Sequence, residues 1–453
     1  VPATGKQGPV SGRPGKNGQR SLTLAGEAFW VGFGVLTGVA ALFAGTRALT
    51  HLLVPGEYGQ LALAVSLSSL AVMIFGDPVG KTAVRFYSLW CTAGKPHGFM
   101  QDLGRSLVRA AGVIGVFCVA AIVLGRYVAA LPDSRFVLLT GMFAMLLILN
   151  RAAIALADAA RKRRFRGIVQ GSFEMLRFGL AICLVIVFSL PKAETVLAGF
   201  VMAGILVVMA HGVFLFRVLH DPADAPSSGG GPVTGMDRDR MQAFQSPLIT
   251  SSICIWLVMM AERWMLTCFG SPSDVGGYAA VSQLAFIPML LVSNFLLLFI
   301  EPILYQSGDS GGKSGSGFQV RHLNRFAIYG ILGATVFLSG VLFATHPVVG
   351  TLLLGEEFRS YSWLFPWLLL AGGFFAAAQQ VLLKLSLDMR TDLLAKLWFV
   401  VALVAVGGYA AGAAGWQLKG LVTAVVTVNM GVLAASLFLV YGTGTHKIPP
   451  SEF

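Results

Sequence analysis

The chain alternates long apolar runs with short polar stretches, and the runs share a common length. Twelve are recognisable. They cover 25–49, 58–76, 107–130, 135–157, 168–190 and 195–217, then 244–268, 276–300, 325–345, 363–385, 391–413 and 417–441. Each comes near the roughly 20 residues that an α-helix needs to cross the hydrocarbon core of a bilayer. Within that core a single segment satisfies all its backbone polar groups only as a helix, so the runs predict twelve membrane-spanning helices. Residues 78–95 and 350–362 mix apolar with charged positions. They are expected either to lie at the interface or to extend a neighbouring helix.

The longest polar stretch, 220–243, falls at the midpoint and carries Pro222, Pro226, Pro232 and a Ser/Gly run at 227–231. Such a composition predicts a flexible linker. The expected organisation is a disordered basic tail at 1–20, a six-helix lobe at 21–219, and a cytoplasmic linker at 220–243. A second six-helix lobe occupies 244–441, with a tail at 442–453. The expected fold is an all-α integral membrane protein with two pseudo-symmetric lobes around a central cavity.

Composition narrows the class. Of the 453 residues, 56% are hydrophobic and 12% are charged, against about 25% charged in a soluble protein. The mean hydropathy is +0.75. A soluble enzyme, a disordered protein and a secreted disulfide scaffold are excluded. The net charge of +12 would raise nucleic-acid binding in a soluble protein. Here the basic residues sit between apolar runs, so they read as topology signals and no nucleic-acid partner is expected. With the N-terminus placed in the cytoplasm, 23 of the 33 Lys and Arg fall on the cytoplasmic side and seven outside. Arg109, Arg151 and Arg177 lie within helices. This bias predicts both termini inside and an even helix count. The densest cluster, Arg161 to Arg166, reads as an anchor at anionic headgroups of the membrane lipid.

The five cysteines form no CxxC pair and lie in or beside apolar runs, so they read as small hydrophobes, not as disulfide or metal ligands. No metal or other cofactor is expected. Two motifs are decoys. "GDSGG" at 308–312 copies a serine-protease signature without the His and Asp partnership that chemistry needs. The overlapping "GDSGGKS" lacks the opening glycine of a phosphate-binding loop, because that position is Ser307.

The two halves share a local pattern. Around the first loop, Arg47 ends a helix, Pro55 lies in the loop and Gly59 opens the next run. Around the seventh loop, Arg263, Pro272 and Gly277 do the same, with two extra residues between. Both arginines fall on one predicted side, as in parallel repeats. Transporters built from repeats carry their substrate site between the halves.

The same residues carry a family resemblance. "RALTHLLVPGEYGQLAL" followed by "GDPVGKTAVRFY" resembles the opening of polysaccharide-type flippases of the multidrug/oligosaccharidyl-lipid/polysaccharide exporter superfamily. "ERWMLTCFGSPSDVGGYAAVSQLAFIPMLL", then "EPILYQ", and "LLLGEEFRSYSWLFPWLLLAGGFF" at 352–375 agree with it. The resemblance spans most of 22–441. It implies two six-helix lobes and movement of undecaprenyl-diphosphate-linked oligosaccharide to the outer leaflet by alternating access. It also implies a bacterial inner membrane, with a polysaccharide polymerase and glycosyltransferases as partners. The chain would not be an enzyme.

An ionisable residue inside a membrane helix needs a partner, a wet cavity or a route to the interface. Arg151, mid-way along the fourth run, is expected either to meet a diphosphate through its bidentate fork or to orient helices by an ion pair. Asp158, two turns on, shares its face. Glu174 and Arg177 are spaced to pair, either structurally or as a cavity pair in which Glu174 carries a proton. Arg47 and Arg263 either line the outer cavity or anchor at the interface, and Glu262 is expected to face outer water. Lys81 and Arg85 either form a phosphate-entry patch or obey the positive-inside rule. Glu27 either opens the first helix favourably or couples an ion. Gln379, Gln380 and Asn294 bond either sugar hydroxyls or other helices. Gly34 with Gly38, and Gly408 with Gly412, have the four-residue spacing of close helix packing.

Two other functions remain in view: an ion-coupled drug or cation extruder of the same superfamily, and a membrane polymerase or ligase for the same sugars. The extruder calls for exposed carboxylates where this chain has excess base. The enzyme calls for a large external loop, and these loops are short.

Overall fold

The computed structural model describes residues 16–83, 96–127, 133–160, 162–220, 238–309, 316–387 and 390–442. The helices are α1 (Lys16–Leu52), α2 (Pro55–Ala71), α3 (Pro96–Gly125), α4 (Ser134–Ala159), α5 (Arg163–Phe188) and α6 (Ala193–His220). The second half has α7 (Arg238–Phe269), α8 (Pro272–Asp309), α9 (Ser316–Leu353) and α10 (Leu364–Leu387). A short 3-10 turn, Glu356–Tyr361, lies between α9 and α10.

Among the described residues, eleven stretches are long and apolar enough to cross a membrane, and the last, Leu393–Tyr441, has 49 residues. A straight helix of that length would span ~74 Å, more than twice the ~30 Å hydrocarbon core. It does not run straight. Trp416 and Gln417 leave helical geometry, with Gln417 at φ 48°. The arms on either side fold back as α11 (391–415) and α12 (418–437). A Cβ on Gly412 would come 2.5 Å from the Gly420 carbonyl oxygen, so glycine is what lets the arms meet at their turn. The described residues therefore hold twelve candidate crossings.

Helix ends depart from the hydropathy boundaries because helical backbone continues past the apolar run. α1 starts at Lys16, inside the stretch expected to be a tail. α6 reaches His220 and α7 starts at Arg238, so helix takes both ends of the expected linker. Residues 221–237 lie outside the described set, as do 443–453. α2 continues through a π-helical turn, Val72–Gly76, and the span runs on to Ala83. Of the two readings of 78–95, residues 78–83 take the helix extension, and 84–95 lie outside the described residues.

Packing sorts the helices into two sets. α1 lies along α5, with Gly34 facing Gly167 so that a Cβ would be 2.7 Å from its carbonyl. α6 packs on α5 and α4, α2 on α4, and α3 on α4 and on the stretch that continues α2. In the second set α10 is central, touching α8, α9 and the α11–α12 hairpin, which also covers α7. The sets meet through α1, α2 and the π-helical turn that continues α2, against α7 and α8. This is the two-lobed, all-α membrane fold. In lipid such packing is driven by close contact and polar bonds between helices, not by exclusion of water.

Candidate functional site

Both helices at the lobe interface, α2 and α8, open on proline at a position where the missing N–H does no harm. Four residues on, each carries a glycine against the other's proline. A Cβ on Gly59 would lie 2.7 Å from the Pro272 carbonyl, and one on Gly276 would overlap the Pro55 carbonyl. Seven residues further, each places a polar node in the seam. On α8, Gln283 Oε1 accepts from Thr46 Oγ1 at 3.1 Å and from Tyr58 OH at 3.3 Å. On α2, Ser66 Oγ accepts from Trp264 Nε1 at 3.1 Å, and the Ser66 carbonyl accepts from Trp256 Nε1 at 2.9 Å. The 3-10 turn closes the same end. The Gly355 N–H donates to Thr50 Oγ1 at 3.0 Å, and Phe358 packs edge-on against Tyr58. The inter-lobe hydrogen bonds thus run from the α1–α2 and α7–α8 loops inward to Ser66 and Ser69, well along α2.

Within each lobe an acid ties this end together. Glu57 accepts from the Ala193 N–H at 2.7 Å, at the start of α6. Asp274 accepts from Ser271 Oγ at 2.7 Å, just before α8, and from Tyr361 OH at 3.3 Å. Burial, and then the Asp274 charge, push the Tyr361 phenol up to about 12, so it remains a donor.

Two arginines lie behind the seam, both within electrostatic range of Tyr58. Arg177 pairs with Glu174 at 2.5 Å and is stacked among Phe173, Phe178 and Phe200. Arg263 is 3% exposed beside Glu262 at 4%. Their side chains approach only to 3.9 Å, and Arg263 Nε and Glu262 Oε2 make no hydrogen bond among the described residues. Glu262 is therefore buried in the bundle, not turned to outer water as its place in the sequence led one to expect.

Arg47 is exposed, unlike Arg263. The paired prolines supply the reason. Arg47 precedes Pro55 by eight residues and Arg263 precedes Pro272 by nine, and one residue turns a helix by about 100°. The residue that takes Arg263's place in the first repeat is Thr46, which is fully buried. The sequence repeat matched the arginines; the structural repeat does not.

A second cluster sits toward the other end. Arg151 Nε bonds Asp77 Oδ1 at 2.7 Å, with side chains 49% and 20% exposed. Asp158, which shares Arg151's helix, pairs with Arg166 at 3.1 Å instead. Arg151 lies nine residues after Met142, which sets it about 180° around the helix from the exposed Leu138 and Met142. It continues the stripe of Thr140, Ala144 and Ile148, all buried. On α5, Arg166, Gln170 and Arg177 likewise lie opposite the exposed Ile168, Met175 and Ile186. Lys81 is exposed one turn after Asp77. Arg85 and the Glu27 side chain lie outside the described residues. Gln380 bonds Ser293 on α8 and is fully buried, so it joins helices.

Asp77, Tyr58, Thr46, Ser66 and Gln283 were missed as site residues. Asp77 had a signal, an acid inside an otherwise apolar stretch. The others look like ordinary helix residues until the partner helix is in place.

No protein-family model matches this sequence, and no curated protein matches it. Solved structures match in fold. A mutant of the Vibrio cholerae MATE transporter VcmN is 14% identical, with a TM-score of 0.61 over 94% of this chain and 97% of that one. The lipid II flippase MurJ, in an inward closed conformation, is 10% identical, with a TM-score of 0.63 over 91% and 87%. An outward-facing multidrug resistance MATE transporter of the MOP superfamily is 11% identical, with a TM-score of 0.59 over 91% and 94%. These neighbours are MATE transporters and the flippase MurJ.

Proposed function

We propose that this protein is a flippase of the bacterial inner membrane. It moves undecaprenyl-diphosphate-linked oligosaccharide to the outer leaflet for exopolysaccharide, capsule or O-antigen assembly. The observation that carries the reading is an asymmetry along the lobe interface. One end is sealed by reciprocal glycine contacts and hydrogen bonds. Toward the other, Lys81 and Arg151 stay exposed, with Arg151 on the inward stripe of its helix. The positive-inside bias sets the sealed end outside and both termini in the cytoplasm. In this reading the cations toward the cytoplasmic end, beyond the π-helical turn that still packs against α7, wait for an anionic headgroup. The diphosphate meets Arg151 and Lys81, the sugars stay in water, and the polyprenyl tail stays in lipid. Rocking of the lobes opens the seam and releases the passenger outside, to a polymerase fed by glycosyltransferases. The fold of MurJ, a lipid II flippase, supports a lipid-linked passenger.

The second reading is ion-coupled export of small cations, favoured by the MATE neighbours and by Glu174 and Glu262 in the bundle. Both carboxylates lie beside an arginine, which weakens it. The test is reconstitution into liposomes that carry the native host's diphosphate-linked oligosaccharide in the inner leaflet. Sugar becoming accessible outside, and falling with Arg151→Ala, is the expected result. Uptake of a fluorescent cation without sugar translocation would establish the exporter instead.

A further inference from the structure

The π-helical turn in α2 has a local consequence. A π-turn inserts one extra residue into an α-helix, so the helix beyond it is rotated by about 100° relative to an uninterrupted one. Asp77 is the first residue after that turn, and the rotated register is the one in which it meets Arg151 on α4. The same register packs Gly76 against the Arg151 stem, where a Cβ would lie 3.5 Å from its Cβ and Cγ.

The ion pair is not what fastens α2 to α4. Val79 and Ala83 already pack with Ala152, Ala155 and Leu156 in a dry cluster. Nor does the pair use up the arginine. Guanidinium carries five N–H donors, and Asp77 engages Nε alone among the described residues. The four N–H groups on the two terminal nitrogens remain. They belong to a side chain that is half exposed on the inward stripe of its helix. That fork matches two oxygens of a phosphate group. Lys81, one turn after Asp77 and exposed, adds a point charge on the same face of α2.

We propose that Asp77 is a positioning residue, holding Arg151 through Nε so that its terminal nitrogens form a receptor for a phosphate or diphosphate group. That the group belongs to a lipid-linked sugar rests on the proposed flippase function; the positioning role does not.

The test measures inorganic pyrophosphate binding to the purified full-length protein in detergent, by calorimetry at fixed ionic strength, with a melting curve for every variant. Arg151→Ala and Asp77→Ala are expected to weaken binding by about tenfold or more, the scale of a misplaced recognition group. Asp77→Asn keeps an oxygen acceptor for Nε, and its affinity is expected to stay within about threefold of wild type. The exchange Asp77→Arg with Arg151→Asp rebuilds an ion pair but moves the cation to the other helix. It is expected to melt like wild type and to bind as weakly as Arg151→Ala. Wild-type affinity in Asp77→Ala would overturn the proposal, as would full recovery in the exchange, which is the behaviour of a purely structural clamp. Absence of saturable pyrophosphate binding by wild type would overturn the receptor and leave the transport reading to the liposome assay.

Discussion

The α1–α2 and α7–α8 hairpins are one device built twice. Each has a proline at the head of its second helix, a glycine four residues on, and a polar node eleven residues after the proline, Ser66 in one and Gln283 in the other. They differ by one residue in where an arginine falls before that proline. In the first hairpin the arginine turns outward and threonine enters the seam. In the second the arginine is buried behind the seam, beside a glutamate, with nitrogen and oxygen atoms left unbonded among the described residues. A helix converts a one-residue offset into a change of face, so two copies of one pattern place a charge in opposite surroundings. The symmetric parts of the device close the seam. The asymmetric part leaves a buried, poorly satisfied ion pair in the second hairpin.

That contrast can be broken by substitution. Removing one partner of a buried pair leaves an uncompensated charge, typically 3–5 kcal/mol. Arg263→Ala is expected to lower stability on that scale, seen as a large fall in melting temperature. Replacing both residues together, Glu262→Gln with Arg263→Met, is expected to recover most of it. Arg47→Ala, at the sequence-matched position, is expected to change stability by no more than about 0.5 kcal/mol. Equal effects at the two arginines would refute the register argument.

Gly276→Ala probes the symmetric part. The new methyl would overlap the Pro55 carbonyl, and neither backbone can yield while the seam is shut. Overpacking of this kind is worth about 1–3 kcal/mol. Because it acts only on the closed seam, the variant is expected to shift toward the state open at that end. A cysteine placed beside the seam should become more reactive to a water-soluble maleimide, and sugar translocation should fall. Unchanged labelling would show that the seam does not open.

The smallest expected effect concerns the 3-10 turn. The Tyr361 phenol, raised to about 12 by burial and Asp274, favours its protonated form in the folded state more than in the unfolded one, where the value is near 10. Its contribution to stability is fully present below pH 10 and fades as pH rises from 10 toward 12. Tyr361→Phe is expected to flatten that part of a pH–melting profile with little change at neutral pH. A profile with the same slope in both proteins would remove Tyr361 from the account.

Much of the architecture was legible in the residue pattern. A bilayer permits few solutions for an apolar run of about 20 residues, so helix number came from counting runs. The split between 391–413 and 417–441 was visible because polar Gln417 and Lys419 interrupt the apolar sequence, and the break lies there. The Gly34 and Gly412 spacings marked close helix contacts that the structure contains. The paired Pro/Gly loops pointed to a repeat, and those loops meet at the lobe interface.

The partners of the charged residues were not legible. Asp158 shares a face with Arg151 in sequence, yet Arg151 bonds Asp77 from another helix, because a π-turn that hydropathy does not reveal rotates Asp77 toward it. Arg47 and Arg263 align as letters and part in space, because the reference for their faces is the proline that starts the next helix. Hydropathy acts residue by residue along one chain, so the membrane-crossing pattern is written locally. Which charge meets which depends on rotation about each helix axis and on the neighbour at that height, and only the packed bundle sets those two quantities.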